Sequence, residues 1–265
     1  MNKVFLITGR SSGRSLERSD KERFTMEKTM VISEDNSKAL YRVAAAMAVL
    51  IILAGLTDAF TSMGMEAHDN STVSIIEWFT LFQTNRFAAF SRLGVINITT
   101  LSLCIPIYLA FTQAFRQHRS ALAMLASILY FIGTAVYLSS NTVFSLFAIS
   151  QQYATATATQ KPLLEVAGRA LLMQGADLTP GTFVGLFFTQ IAGLLITSMM
   201  LQGAVFGKWT GRLGLVGFGL MSVFFILTAF VPNQYDTAML IAAPGALFMI
   251  AYQILLARRF FQLGK

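Results

Sequence analysis

The chain has 265 residues, of which 55% are hydrophobic and only 12% charged, with 23 phenylalanines and a formal net charge of +7. Soluble domains carry roughly a quarter charged residues, so this composition excludes an ordinary water-soluble domain and points to lipid as the solvent. The single cysteine, Cys104, excludes an internal disulfide.

Residues 1–39 are polar and interrupted by charge, and they read as a basic, disordered or partly helical cytoplasmic tail. Nearly half of all Lys and Arg fall in the first 42 positions. A basic tail beside a membrane span sets orientation rather than binding nucleic acid. No apolar core precedes a small-residue cleavage site, so no secretory leader is read here. The stretch "KVFLITGRSSGRS" (3–15) resembles the first strand and cofactor turn of the short-chain dehydrogenase family. Gly9 and Gly13 match the first two glycines of that turn, but Ser15 stands at the third, where close helix–strand packing needs glycine. No strand–helix–strand unit follows, and no tyrosine has a lysine four positions later. The stretch therefore reads as a non-functional fragment ahead of a membrane protein that could start at Met26 or Met30, and no dinucleotide or other cofactor is expected.

Six apolar runs follow, at about 40–62, 92–115, 119–148, 181–205, 211–231 and 236–257. Each approaches the roughly 20 residues a helix needs to cross hydrocarbon. They are apolar on every face, which excludes the alternating strands of a barrel. The expected fold class is all-α: an integral bundle of six transmembrane helices over residues 40–265. The third run is longer than a span requires, so it tilts or emerges from the bilayer. Pro106 and Pro244 fall inside the second and sixth runs and are expected to bend them.

Lys and Arg divide the connections into two sides. Arg116, Arg119, Lys208, Arg212, Arg258, Arg259 and Lys265 share a side with Lys28, Lys38 and Arg42 of the tail. The other side holds only Arg86, Arg92, Lys161 and Arg169, beside Glu66, Asp69, Glu77, Glu165, Asp177 and Asp236. The positive-inside rule then puts both ends in the cytoplasm of a bacterial inner-membrane protein.

The two long outer connections carry helical signals. In residues 72–90, Ile75, Ile76, Trp78, Phe79 and Phe82 form an apolar side. In residues 161–175, Leu163, Leu164, Ala167, Ala170 and Leu171 recur at helical spacing, with Glu165 and Arg169 as an i, i+4 pair. Both read as amphipathic connectors lying on or capping the bundle, and the alternative is a substrate lid. "GAVFGKWT" (203–210) has three residues between its glycines where a phosphate loop has four, and Trp209 where Ser or Thr belongs. It reads as a short turn anchored by Lys208 and Trp209. His68, His118 and Cys104 are too scattered for a zinc site, and no catalytic constellation is found.

The informative residues are polar ones within the spans, because polar groups in hydrocarbon are costly and must be paired or line a wet cavity. Asp58 lies toward the outer end of the first span, on a face with Gly55 and Ser62. Ser127, Tyr130, Thr134, Tyr137, Asn141 and Ser145 form an inward stripe on the third. Asn97, Thr100, Cys104 and Tyr108 do so on the second, and Gln190 and Gln253 add amides to the fourth and sixth. The candidate intramembrane polar site is therefore Asp58, Asn97, Tyr130, Thr134, Tyr137, Asn141, Gln190 and Gln253. Gly185, Thr189, Gly193 and Thr197 give the fourth span a small-residue face for close packing, and Gly214 and Gly217 open the fifth.

From about Ser37 onward the chain resembles a bacterial family of six-span membrane proteins known as a domain of unknown function. The resemblance lies in "FQTNRFAAFSRLGVINI" (82–98), "GKWTGRLGLVGFG" (207–219) and "APGALFMIAYQILLARRF" (243–260). It implies the six-span fold and no substrate. Two functions remain open. The first is a non-enzymatic membrane protein binding a lipid-like ligand or protein partner. The second is a small solute or proton-coupled transporter using Asp58 and the third-span stripe. Expected partners are the lipid bilayer and a membrane-protein partner or second copy, without nucleic acid.

Overall fold

The computed structural model describes residues 34–58, 73–203 and 205–265. The dehydrogenase-like stretch, Met26, Met30, Ser62, His68 and the turn residue Ala204 lie outside the described residues. Helix is the regular structure throughout, and no strand occurs among the described residues.

Among the described residues, six helices are long and apolar enough to cross a membrane: α1 (Glu34–Asp58), α4 (Val95–Ala114), α5 (Ser120–Ser140), α8 (Pro180–Met200), α9 (Lys208–Phe230) and α10 (Tyr235–Leu263). Their exposed surface is oily, with Leu53, Leu109, Met124, Ile132, Leu247 and Ile254 turned outward. That is the surface of a chain solvated by hydrocarbon, and the fold is an all-α, six-span membrane bundle.

Several boundaries move from their sequence-based positions. The helix of the first span takes in Glu34 and Lys38 of the tail expected to be disordered or partly helical, and Lys38 pairs with Glu34 one turn back at 2.9 Å. The fifth span starts at Lys208, so the Lys208–Trp209 pair expected in a turn opens α9 instead. There the Arg212 guanidinium lies 4.9 Å from the Trp209 ring centre. The sixth runs on to Leu263. Pro106 and Pro244 do sit inside their helices.

The long third run is two helices. α5 has 21 residues, about 31 Å at 1.5 Å per residue, which matches a hydrocarbon core of about 30 Å. At Asn141 the backbone turns extended, and the Asn141 Oδ1 accepts from the Val143 N–H at 3.0 Å. The chain then restarts as α6 (Val143–Thr155), so the run emerges from the bundle and Ser145 is exposed rather than part of the inward stripe.

α6 joins α2 (Ile75–Thr84), α3 (Arg86–Arg92) and α7 (Lys161–Gly175) in a helical cap. Ser74 caps α2 by accepting from the Glu77 N–H. Asn85 ends that helix and caps the next by accepting from the Ala88 N–H. Ile75, Trp78, Phe79, Phe82, Leu93, Val143, Leu146 and Leu172 form the cap core. Of the expected apolar face of α2, only Ile76 turns out, and it is exposed.

The face of α7 differs more. Leu163, Ala167 and Ala170 are exposed, whereas Gly168, Leu172 and Gly175 are buried. The contact is made by backbone approach: a side chain on Gly168 would collide with Phe79 and Ile75, and one on Gly175 with the Ser140 carbonyl and Thr142. Glu165 does not pair with Arg169; its carboxylate accepts from the Tyr153 hydroxyl at 2.8 Å.

The bundle is assembled through small residues, because lipid provides no hydrophobic drive between helices and close van der Waals contact must replace it. α5 meets α8 where Gly133 faces Gly185. Gly193 of α8 seats the Phe218 ring, and Gly214 of α9 seats Thr197 and Tyr252. At one end, Arg42 Nε donates to the Gly264 carbonyl at 2.8 Å, and Gln113 donates to Ser37 at 2.6 Å. Phe111, Phe206 and Phe260 cluster there with ring centres 5.5 Å apart. The cap lies at the opposite end.

Candidate functional site

At the cap end, polar side chains from three elements converge. Asp177, in the junction between α7 and α8, is 6% exposed. Its two carboxylate oxygens accept from the Tyr137 hydroxyl of α5 at 2.8 Å and from the Asn97 amide of α4 at 2.6 Å. Asn141, one turn beyond Tyr137, donates to the Leu93 carbonyl at 3.0 Å and lies 3.4 Å from the Tyr137 hydroxyl. The cluster closes over Gly94, which enters α4 at φ 98°. A side chain there would strike Tyr137, Asn141 and Asp177, so the left-handed turn and the polar cluster require each other.

The local sequence accounts for this placement. Gly94 permits the turn from α3 into α4 that aims Asn97 inward. Asn141 both ends α5 and steers the chain into the cap. Pro180 at the first turn of α8 fixes where that helix begins, three residues after Asp177. Burial pushes the Asp177 carboxyl up from the ordinary carboxylate range, and the donors of Tyr137, Asn97 and the Leu178 backbone pull it part of the way back.

Asp177 also walls a cavity of about 230 Å³ between the α7–α8 junction and the turn from α9 into α10. Leu178, Thr179, Pro180, Phe230, Val231, Pro232 and Tyr235 complete much of the lining. Asp58, at the end of α1, lies within electrostatic range of Asp177. A second cavity, of about 210 Å³, adjoins Trp78, Glu77 and Arg92 in the cap. There the Arg92 guanidinium lies 5.2 Å from the centre of the Trp78 ring.

The remaining candidates lie elsewhere. Tyr130 stacks on Tyr108 at 3.9 Å and donates to the Leu101 carbonyl at 2.8 Å. Ser127 bonds the Tyr108 carbonyl and Thr112. Thr134 is buried next to Tyr130, and among the described residues the buried side-chain carbonyls of Gln190 and Gln253 have no hydrogen-bond partner. The eight expected residues therefore do not form one site: Asn97, Tyr137 and Asn141 converge, Asp58 lies near them, and Tyr130, Thr134, Gln190 and Gln253 are distributed through the bundle.

The residue that organises the cluster, Asp177, was counted only among the outer charges. Its signal was present in "GADLTPG" (175–181), an acidic residue just ahead of a proline-initiated helix, where a carboxylate meets the positive helix end.

These features define a multi-pass helical membrane protein with a buried polar cluster and a cavity bordered by Asp177 at its cap end. Among the described residues, no group of three His, Cys, Asp or Glu side chains is arranged to hold a metal ion. Comparison with family models, with curated proteins and with solved structures finds no match for this chain.

Proposed function

We propose that this is a non-enzymatic protein of the bacterial inner membrane, with both ends cytoplasmic, that binds a lipid-like ligand at its cap end. The reading rests on one contrast. Polar groups along α4 and α5 are largely occupied by hydrogen bonds within the protein, from Ser127 and Tyr130 of α5 to carbonyls of α4 and from Tyr137 and Asn141 to Asp177 and Leu93 in the connections, whereas a cavity bordered by Asp177 opens beside the cap. Side chains occupied in this way hold a bundle together and do not relay a solute. The excess of Lys and Arg in the connections at the end where Arg42 meets Gly264 supports the orientation. The resemblance to the bacterial six-span family belongs to the same proposal.

Native mass spectrometry of the full-length protein released from detergent tests the reading. A retained amphiphile is expected, and a bare polypeptide would overturn it. Reconstituted vesicles separate the transporter alternative, which the proximity of Asp58 to Asp177 favours. Solute or proton flux that disappears in Asp58→Asn would establish transport in place of ligand binding. A partner protein co-purifying in fixed ratio, with no amphiphile, would move the function to that partner.

A further inference from the structure

We infer that the cavity beside Asp177 receives an organic ammonium group. This names the chemistry of the ligand proposed above and rests on that reading.

Two independent features make the cavity electronegative. The first is Asp177. Each of its oxygens accepts one side-chain hydrogen bond and retains capacity for another. No ion pair among the described residues neutralises it, and the lining contains no Lys, Arg or His.

The second is the end of α9. The Val231 N–H turns back to the Leu227 carbonyl, and Pro232 has no N–H to offer Thr228. No backbone N–H among the described residues closes the carbonyls of Thr228, Ala229 or Phe230. A helix C-terminus carries partial negative charge, normally offset by a basic residue, and α9 has none in its last turn. Asp177 and the open helix end border the same space, so the group they favour is a cation.

The walls say which kind. Leu178, Pro180, Phe230, Val231 and Pro232 are apolar. A small inorganic ion, which keeps or replaces its hydration shell with oxygens alone, would leave these apolar walls unused. A cation carrying carbon substituents loses little hydration and gains contact with those walls, and the Phe230 and Tyr235 rings suit it further. The ammonium could belong to a lipid headgroup or to a free amine.

The test uses full-length protein in non-ionic detergent, with tetramethylammonium chloride and ethanolamine hydrochloride as probes. Both should raise the unfolding temperature in proportion to the logarithm of concentration. The uncharged isostere 3,3-dimethylbutan-1-ol should bind at least about tenfold more weakly, and sodium chloride should not substitute. Ala229→Trp, which fills the cavity without touching the Asp177 hydrogen bonds, should abolish the shift. Asp177→Asn should do the same where it folds.

An equal response to the neutral isostere or to sodium chloride overturns the proposal, and so does an undiminished shift in Ala229→Trp. Nanodiscs distinguish the source: competition by ethanolamine-headed but not glycerol-headed lipid identifies a headgroup, and its absence identifies a free amine. If an amphiphile is retained but no ammonium probe binds, the ammonium assignment fails while the ligand reading stands. If neither binds, both fail.

Discussion

The Tyr137 hydroxyl donates a 2.8 Å hydrogen bond to the Asp177 carboxylate, joining α5 to the head of α8 across 40 residues of sequence. Tyr137→Phe keeps the ring and removes the donor from a buried charged acceptor. It should destabilise the protein by about 1–3 kcal/mol. Ser127→Ala removes hydrogen bonds deeper in the same helix, where partners are exchanged more easily, and should cost about 0.6 kcal/mol. Chemical unfolding in mixed micelles measures both, and equal losses would contradict the special standing of Asp177.

Gly94→Ala should be more damaging than its size suggests. The backbone there is left-handed at φ 98°, and the added methyl would displace Tyr137, Asn141 and Asp177 together. A loss of at least about 1–3 kcal/mol is expected. Because the methyl disturbs the bond that Tyr137→Phe deletes, the double mutant should lose less than the sum. The departure should be about 0.5 kcal/mol or more in the same unfolding assay; strict additivity would show the turn and the cluster to be independent.

Two glycines in the spans should respond in opposite ways. Gly185→Leu places a side chain against the Tyr137 backbone and the Gly133 carbonyl, whereas a side chain at Gly55 would meet nothing within 4 Å. Gly185→Leu should abolish the monodisperse peak in detergent size-exclusion chromatography, and Gly55→Leu should elute like the parent. Equal recovery of both would mean that α5 and α8 do not rely on their close approach.

The cap can be tested apart from the bundle. In a Trp209→Phe background, Trp78 is the sole tryptophan, and it is 1% exposed. Adding Gly168→Val drives a side chain into Phe79 and Ile75. Trp78 emission should shift to longer wavelength while the protein still inserts into membranes. An unchanged spectrum would remove Gly168 from the cap contact.

The spans were legible in the sequence because sustained apolar runs have few other uses, and their ends were not, because those are decided by local capping. Asn141 shows why: its amide stops α5 and starts α6 within a run that stays apolar. The face of α7 was misread for a related reason. Leucine spacing marks an apolar stripe, but Leu163 faces out, and beside Leu171 and Leu172 the contact is completed by Gly168 and Gly175, which carry no hydrophobic signal. In the site, Asn97, Tyr137 and Asn141 could be read as inward-facing polar groups, yet nothing in their spacing reveals that they share an acceptor. Asp177 stands outside any span, and only the fold brings it beneath their donors.

The cap has an unusual origin: its core is contributed by residues 75–93 and 143–176, two pieces of chain with α4 and α5 between them. In the fold Phe79 and Phe82 of the earlier piece pack against Tyr153 and Phe147 of the later one. The cap is therefore a long-range structure: it closes only where α4 and α5 bring both pieces to the same end of the bundle.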